Sequence, residues 1–317
     1  MNTACGPAGR APRHFVSPGD ILAGRYCVGA PITTNARGTF YEARHVGLGF
    51  AVCLQVLGPE VARNSLIWRR FARESKTLSA LHNEHVLRVH DAGTLPSGVR
   101  YLITERLRGV DLATRLREGG PLAVGDAVDH LCQICSALSA AHRLGIVHRN
   151  VRPENIFLAQ SRADQPLVKL LDFGVSLLLN EPGQFTIPGC GVISAAYLSP
   201  EQLRNPNAVD QRSDLWAAGL VLFEALIGSS PFAGFSSSQI VRVLSEGPMP
   251  LLPLASPGIP KGLARVVQQC LERDPAQRPA SADELAQLLE PFSSRPGRRR
   301  ERTSTVPEQP SVERAGC

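Results

Sequence analysis

The hydrophobic pattern of this chain changes once, close to Gly109. Before that glycine, from Tyr26 to Glu105, short strand-like runs dominate. One stretch among them, residues 65–81, instead repeats apolar residues at helical spacing. After Gly109 the helical period takes over. The sequence therefore predicts an α+β chain, in which a small β-rich lobe with one helix precedes a larger α-helical lobe.

The same patterns predict where the individual elements lie. Strands are expected at residues 39–44, 51–57, 86–90 and 101–105, and helices at 65–81, 123–144, 213–227, 261–273 and 281–289. The two ends of the chain are richer in Gly, Pro, Ser and Arg than the middle. We therefore expect a disordered arm at 1–19, lobes at 20–108 and 109–292, and a disordered basic tail at 293–317.

Length and charge limit the classes of function. A chain of 317 residues can hold one large domain or two lobes that share a core, and its 43% hydrophobic content is ordinary for a globular protein. The net charge of +6 is modest, and much of it lies between Arg295 and Arg302. Nucleic-acid binding is therefore disfavoured, because a solvated disordered end explains this charge equally well.

Membrane insertion and a disulfide framework are not expected either. Residues 1–19 lack the apolar core of a signal peptide. The longest apolar stretch, residues 215–227, is short for a membrane span and contains Glu224. The eight cysteines are scattered, and Cys132 and Cys135 fit core packing better than a zinc site, since no second pair exists. We expect a cytoplasmic protein without a membrane anchor.

Two polar segments carry the strongest functional signal. Residues 148–155 read His-Arg-Asn-Val-Arg-Pro-Glu-Asn, and residues 171–174 read Leu-Asp-Phe-Gly. They resemble the catalytic loop, H-R-D-x-x-x-x-N, and the metal-binding turn of Ser/Thr protein kinases. Ser-Pro-Glu at 199–201, Asp-Leu-Trp at 214–216 and Arg-Asp-Pro at 273–275 resemble later motifs of that family. The likeness covers about residues 22–292, looks bacterial in detail, and implies the two-lobed protein-kinase fold.

The resemblance also implies architectural roles for a group of residues. Glu74 matches the glutamate of the small-lobe helix, and Glu201 matches a glutamate that pairs with the position of Arg278. We therefore expect Glu201 and Arg278 to form a buried ion pair in the large lobe. The positions that match structural members of the family are Glu74, His148, Arg149, Phe173, Glu201, Asp214 and Arg278.

The positions that would carry phosphoryl transfer have changed. The catalytic-loop base is replaced by Asn150, whose neutral amide cannot take a proton, and loss of a general base typically costs about 10²–10⁴-fold. The strand lysine that holds the phosphates is replaced by Gln55. Arg152 stands where the family has a second lysine, and its planar fork is not equivalent. No catalytic residue is intact, so we expect a catalytically impaired member, a pseudokinase.

The expected nucleotide site is degenerate as well. Aligned on Gly38, the glycine-rich loop carries Thr33 and Asn35 where glycines would let backbone amides approach a phosphate. Two residues at the adenine slot are bulkier than those of the family. The positions that would line any nucleotide are Gly38, Phe40, Cys53, Glu105, Leu107 and Phe157.

Asn155 and Asp172 match the magnesium ligands of the family. They allow two interpretations, weak Mg-ATP binding or a turn kept for the fold alone, and no other cofactor is implied. The first functional hypothesis is a regulator or scaffold that binds a protein partner, for example an active kinase. The second is a weak Ser/Thr kinase or another ATP-dependent transferase, with Arg37 as the one nearby cation for phosphate.

Overall fold

The computed structural model describes residues 16–35, 38–57, 81, 83–95, 97–161, 167–173, 195–205, 209–247, 249–250 and 258–295. Most of the expected helix at 65–81, including Glu74, lies outside the described residues, as do Arg37 and Gly174.

The small lobe is built on one antiparallel sheet. Its strands are β1 (Ile21–Leu22), β2 (Tyr26–Asn35), β3 (Gly38–His45), β4 (Ala51–Leu57), β5 (Val89–Thr94) and β6 (Arg100–Glu105). Their order in the sheet is β1-β2-β3-β4-β6-β5. Because neighbouring strands pair in sequence order except at β5 and β6, the sheet is a meander with one exchanged edge.

One face of this sheet forms the core of the small lobe. Side chains alternate between the two faces of a strand, so Val52, Leu54 and Val56 of β4 point to the same side. They pack there with Tyr41 of β3 and Ile103 of β6, all nearly inaccessible to solvent. The intervening residues of these strands therefore face the opposite side, where the candidate site lies.

The large lobe begins after the sheet and is mainly helical. Its elements are β7 (Gly109–Asp111), α1 (Leu112–Gly119), α2 (Val124–His142), β8 (Ile156–Ala159), β9 (Leu167–Leu170), α3 (Pro200–Arg204), α4 (Arg212–Ile227), α5 (Ser237–Ser245), α6 (Lys261–Cys270) and α7 (Ala282–Leu289). β7, β8 and β9 form a small antiparallel sheet beside α1 and α2.

Helix α4 is the centre of the large-lobe core. Nearly all of its residues are buried, including Trp216 and Phe223, so it is apolar on every side as a central helix must be. It ends at Gly228, which adopts φ 88° and donates its backbone N–H to the carbonyl of Glu224. A left-handed glycine is a common helix C-cap because it lacks a Cβ.

The two-lobed fold expected from the sequence is confirmed, with local differences. The strand expected at 86–90 begins later, at Val89, because residues 85–87 pair with β9 instead: Leu87 N–H donates to Leu170 O at 3.1 Å, and Leu170 N–H to His85 O at 2.7 Å. Helix α6 stops at Cys270 rather than at residue 273.

The lobe boundaries also differ from those expected. Val16 is buried in the small-lobe core and Gly19 donates a backbone hydrogen bond to Val28, although both fall in the expected arm. At the other end, the hydroxyls of Ser293 and Ser294 donate to Asp129 of α2. The folded part of the chain therefore extends a few residues beyond 20–292 at each end.

Candidate nucleotide and phosphotransfer site

Asp214, in the first turn of α4, holds the loop that carries Asn150. Its carboxylate is fully buried and accepts hydrogen bonds from the backbone N–H groups of His148 and Arg149 at 2.8 and 2.7 Å. His142, at the end of α2, lies 2.8 Å from the same carboxylate through Nε2. Since a buried carboxylate needs such donors, the start of the loop is fixed to the central helix.

Two residues of the site have left-handed backbone conformations that favour glycine. Arg149 adopts φ 66° and Asp172 adopts φ 61°. Such conformations cost about 1–3 kcal/mol each and persist only where the surroundings impose them. At Arg149 the surroundings do so, because its N–H is bound by Asp214 and its carbonyl accepts from Gln202 Nε2 at 3.1 Å. Of the three non-glycine residues with such a φ in the described structure, two therefore lie at the candidate site and the third is Ala23.

His148 is completely buried and links the loop to the turn at Asp172. Its Nε2 lies 2.8 Å from the carbonyl of Leu171, and its Nδ1 lies 3.2 Å from the N–H of Asn150. Its ring meets that of Phe173 edge-on at 4.5 Å. Burial lowers the pKa of His148, which agrees with a neutral ring that donates from Nε2 and accepts at Nδ1.

Asn150 therefore sits in an ordered loop. Besides its N–H contact to His148, its carbonyl accepts a hydrogen bond from Asn155 Nδ2 at 2.8 Å. Asn155 is buried in a short 3₁₀ turn that begins at Pro153. This bond uses the amide nitrogen of Asn155, and the oxygen of the same side chain is the type of ligand that magnesium prefers.

Arg152 forms an ion pair with the neighbouring Glu154. Its Nε and Nη2 atoms each donate to Glu154 at 2.7 Å, a bidentate geometry. Its guanidinium carbon also lies 6.0 Å from the centre of the Tyr197 ring. Although burial opposes the charge, the bonds to Glu154 raise the pKa of Arg152. The cation at this position is therefore neutralised by Glu154.

Tyr197 extends this group toward the central helix, where its hydroxyl donates to Glu224 in a short hydrogen bond. Burial is the main reason that the pKa values of both Tyr197 and Glu224 are raised, and their contact adds to the tyrosine's shift. The short turn that ends at Tyr197 is thus held against α4 by the hydrogen bond between Tyr197 and Glu224.

Gln55 lies on the sheet face opposite the small-lobe core. It is 6% exposed and pairs in register with Phe40 on β3 and Leu102 on β6. Phe40 and Cys53 share this face and are half-buried, as the alternation of side chains along β3 and β4 requires. The residue at the expected phosphate-lysine position is therefore an uncharged side chain turned away from solvent.

The segment expected to cradle phosphate is formed by the paired ends of β2 and β3. The register shifts on either side of Pro31, and beyond it Thr33 pairs with Phe40, Thr34 with Thr39, and Asn35 with Gly38. The Thr34 and Thr39 hydroxyls are 3.2 Å apart. In an antiparallel pair every second residue directs its N–H at the other strand, and those N–H groups are not available to bind phosphate.

The segment joining the lobes contains charged contacts that the sequence did not suggest. The Glu105 carboxylate accepts from Lys169 Nζ at 2.7 Å and from the N–H of Arg88 at 2.8 Å. Lys169 lies on β9 of the large lobe and is 7% exposed. The side chain of Glu105 is thereby fixed to the large lobe. The signal that could have indicated this pair is a lysine inside the apolar run of residues 167–171, since a lysine in such a run needs a partner when it is buried.

Arg106 makes a second contact that the sequence analysis missed. Its Nη1 donates to the carbonyl of Leu107 at 2.7 Å, and its Nη2 donates to Glu42 of β3 at 2.9 Å. One of the backbone acceptors at the expected adenine edge is therefore bound by a side chain of the protein itself. Phe157, also expected to line a nucleotide, lies on β8 opposite Lys169 and is half-buried.

The ion pair expected between Glu201 and Arg278 is present. Arg278 Nη1 and Nη2 donate to the two carboxylate oxygens at 2.7 and 2.8 Å, and its other donors reach the carbonyls of Glu272, Arg212 and Arg273. The guanidinium also lies 5.0 Å from the Trp216 ring. Although burial opposes it, Arg278 and the Ser213 hydroxyl lower the pKa of Glu201.

The residues present fit Mg-ATP in part. Asn155 and Asp172 are oxygen ligands of the kind magnesium prefers. The phosphate side does not fit, because Gln55 is neutral and Arg152 is paired with Glu154. In the described part of the chain, no group of three or more His, Cys, Asp or Glu residues could hold a metal ion by itself.

A model of the protein kinase domain matches residues 32–289. The chain belongs to the protein kinase family. This kinase domain is 35% identical over 272 residues to serine/threonine-protein kinase PknL of Mycobacterium tuberculosis, covering 85% of this chain and 66% of PknL. It is 33% identical over 273 residues to serine/threonine-protein kinase pkn3 of Myxococcus xanthus, covering 84% and 49%.

Solved structures agree with this assignment. The kinase domain of Mycobacterium tuberculosis PknI is 27% identical, superposes with a TM-score of 0.69, and is covered in full by 88% of this chain. The chain is thus a bacterial-type Ser/Thr protein kinase domain by sequence and by fold. It spans 39% to 66% of the length of the curated relatives it matches. Among the helices that the structure describes, none is long and apolar enough to cross a membrane.

Proposed function

We propose that this kinase domain is a catalytically impaired regulator or scaffold that acts by binding a protein partner. The observation that carries the proposal is Asn150, an amide in the position of the general base within a well-ordered catalytic loop. The loop itself is held by hydrogen bonds to Asp214 and His148. The loss is therefore one of chemistry, since an amide accepts hydrogen bonds but does not take a proton at neutral pH.

The phosphate-binding side supports the same proposal. Transfer of a phosphoryl group depends on positioning and on neutralising negative charge. Gln55 is neutral and Arg152 is paired with Glu154, so neither contributes an uncompensated positive charge. Groups that act as a unit are not additive, so the loss of one key member already removes nearly as much activity as the loss of several.

The interactions that maintain the fold support a binding role. Asp214 keeps three hydrogen-bond donors, and Arg278 keeps its bidentate contact to Glu201. A chain that retains the architecture and loses the chemistry can still present a defined surface. We propose an active kinase as the partner, because a kinase fold can pair with a related fold through equivalent surfaces.

A second candidate is a weak Ser/Thr kinase or another ATP-dependent transferase. Asn155 and Asp172 favour it, because they would supply the oxygen ligands of magnesium, the ion that neutralises most of the phosphate charge in this chemistry. Such an enzyme would have to transfer the phosphoryl group without a carboxylate base.

The experiment that separates these functions is a radiolabelled phosphate-incorporation assay. The purified full chain is given Mg-ATP, alone and with generic basic protein substrates, beside an Asp172→Ala control. We expect no incorporation above that of the control. Robust incorporation by the wild type that disappears in Asp172→Ala would refute the regulator and establish the enzyme.

A further inference from the structure

We propose that Arg106 and Glu42 form a latch beside the hinge, the segment between β6 and β7 that joins the lobes. This latch determines which ligands the nucleotide cleft accepts. This inference deepens the proposed function and rests on the same cleft. It adds a second reason for weak nucleotide binding, separate from the replaced catalytic groups: a contact within the protein competes with a ligand at the edge of the slot.

The latch spans two parts of the small lobe. Arg106 follows the last residue of β6, and its guanidinium reaches both the Leu107 carbonyl, at 2.7 Å, and the Glu42 carboxylate on β3, at 2.9 Å. The Arg106 side chain is 28% exposed and that of Glu42 is 56% exposed. A planar guanidinium with two fixed donors is well suited to such a bridge.

The register of the sheet places this bridge beside the adenine slot. Glu42 pairs with Cys53, and Cys53 pairs with Thr104, so these three side chains form a row across β3, β4 and β6. The row lies on the face opposite the small-lobe core, together with Phe40. Cys53 and Phe40 are the residues expected to cover an adenine ring.

The electrostatics of Cys53 place the latch against this row. Burial raises the pKa of the Cys53 thiol, Arg106 lowers it and Glu42 raises it. The Thr104 side chain also bonds to the thiol. Both members of the latch are therefore close enough to Cys53 to act on its charge, which supports the position given by the strand pairing.

The latch competes with a ligand for the hinge. A flat heteroaromatic ligand is held in such a slot by its polar edge, which pairs with backbone groups of the hinge. In this chain the Leu107 carbonyl already accepts from Arg106, and the Glu105 carbonyl accepts from the Thr104 hydroxyl at 3.3 Å. A ligand must share these carbonyls with the side chains or displace them, without phosphate interactions that would compensate.

The latch is weak enough to open. Ion pairs that are partly exposed contribute little, in the range of a few tenths to about 1 kcal/mol, so removal of the latch is expected to change ligand affinity by up to about fivefold. The latch therefore selects against weakly held ligands and does not block the slot outright.

Adenosine is the appropriate probe, because it tests the slot without involving the phosphate loop or the metal ligands. We would measure its dissociation constant for the full-length wild type, Arg106→Ala and Glu42→Gln by ligand-observed NMR. The matched control is Arg25→Ala, which removes a comparable small-lobe ion pair, Arg25 to Asp91 at 2.8 Å. Melting temperatures of all four proteins show whether each is folded.

We expect Arg106→Ala to bind adenosine about fivefold more tightly than the wild type. Glu42→Gln, which keeps the shape of the side chain, should shift affinity in the same direction by less, and Arg25→Ala should match the wild type. If Arg106→Ala does not fold, Glu42→Gln carries the test alone.

Equal affinity in the wild type and both latch variants would overturn the inference, and so would tighter binding in Arg25→Ala. Absence of adenosine binding in every protein would overturn it too, because removal of the latch would then have opened nothing. Phosphate incorporation by the wild type would refute the proposed function and leave the adenosine result unaffected, so the two failures are distinguishable.

Discussion

Two regions of the molecule differ in how their polar side chains find hydrogen-bond partners. One is the part of the large lobe around Asp214 and Arg278, here called the base of that lobe, and the other is the cleft that contains the candidate site. At the base, Asp214 and Arg278 meet partners that are complementary in charge and geometry, including a bidentate contact of Arg278 to Glu201. In the cleft, Asn150 and Gln55 are neutral at positions where the family has charged groups. The two arginines there form ion pairs with neighbouring glutamates, Arg152 with Glu154 and Arg106 with Glu42.

This difference shows which requirements the chain still meets. Contacts at the base are needed for folding, since an unpaired buried charge is costly whatever the protein does. Contacts in the cleft are needed only for binding and transferring phosphate, and there the charged side chains pair with one another. A region that has lost its ligand chemistry can satisfy its charges internally at little cost to the fold.

The largest expected effect is at the base. Arg278→Leu should lower the free energy of unfolding by about 3–5 kcal/mol, because Glu201 is left with an uncompensated charge. For a domain of this size that corresponds to a fall in melting temperature of roughly 10 °C. Arg212→Leu is the control, since its pair with Asp210 is more exposed and should contribute less than about 1 kcal/mol. Equal melting temperatures for the two variants would show that the buried pair of Glu201 and Arg278 contributes no more than an exposed ion pair.

The second effect concerns restoration of the cleft. Gln55→Lys with Asn150→Asp should remain at least about 100-fold below an ordinary kinase rate of roughly 1–100 s⁻¹, because misplacement of reacting groups by about 1 Å has that cost. The measurement is radiolabelled phosphate transfer. Thr33, Asn35 and Phe40 would still occupy the loop and the slot, so the comparison protein also carries Thr33→Gly, Asn35→Gly and Phe40→Val. Turnover at the ordinary rate by the double variant alone would show that the cleft lacks only two side chains.

A smaller effect is expected from His130, a buried polar group of α2. Its ring nitrogens make no well-formed hydrogen bond in the described structure, although the Asp126 backbone is near enough to raise its pKa. Burial lowers its pKa, against the opposing influence of Asp126 and Asp129. The unfolded chain therefore binds a proton more readily, and stability should be complete above the unfolded value of about 6.5 and fall as the pH drops below it.

The test compares chemical unfolding of the wild type and His130→Leu from about pH 7 to about pH 5, the range in which histidine charges change. The variant should lose less stability than the wild type over this interval. His148, which is also buried with a lowered pKa, is unchanged in both proteins and serves as the common background. Parallel pH profiles would show that His130 is not the group that titrates.

The smallest measured signal is expected from the binding of ATP to the wild-type protein. Binding should be weak, and any binding that is detected should depend on Mg²⁺ through Asp172 and Asn155, because the protein offers little else to the phosphates. Calorimetric titration with and without a chelator measures this dependence, and Asp172→Ala should abolish it. Tight ATP binding in the presence of the chelator would mean that the cleft is better formed than the contacts of Arg106 and Arg152 indicate.

The sequence could predict the parts of the fold that rest on long periodic patterns. The strand of residues 51–57 and the helices α2, α4 and α7 appear within two residues of the expected bounds. Short elements were missed, among them α1, α5, β8 and β9, because few of their residues show a period. The capping box of Ser236 and Gln239 was a usable signal for α5.

The residue types at Asn150, Gln55 and Arg152 were decided by the sequence alone, and with them the expectation that these positions lack the carboxylate base and the phosphate lysine of the family. The ion pair of Glu201 and Arg278 could also be anticipated, because motif order indicates which distant residues meet. Local chemistry and motif order are properties of the chain itself, so no coordinates were needed for these conclusions.

Only the tertiary structure decided how the remaining charges are used. Arg152 is paired with Glu154, Lys169 with Glu105, and Arg106 with Glu42. Each choice depends on distances between side chains that the folded backbone brings together, and each long side chain has several charged candidates along the sequence. Because an ion pair falls off with distance and is screened by water, its partner is determined by the packed geometry rather than by residue type.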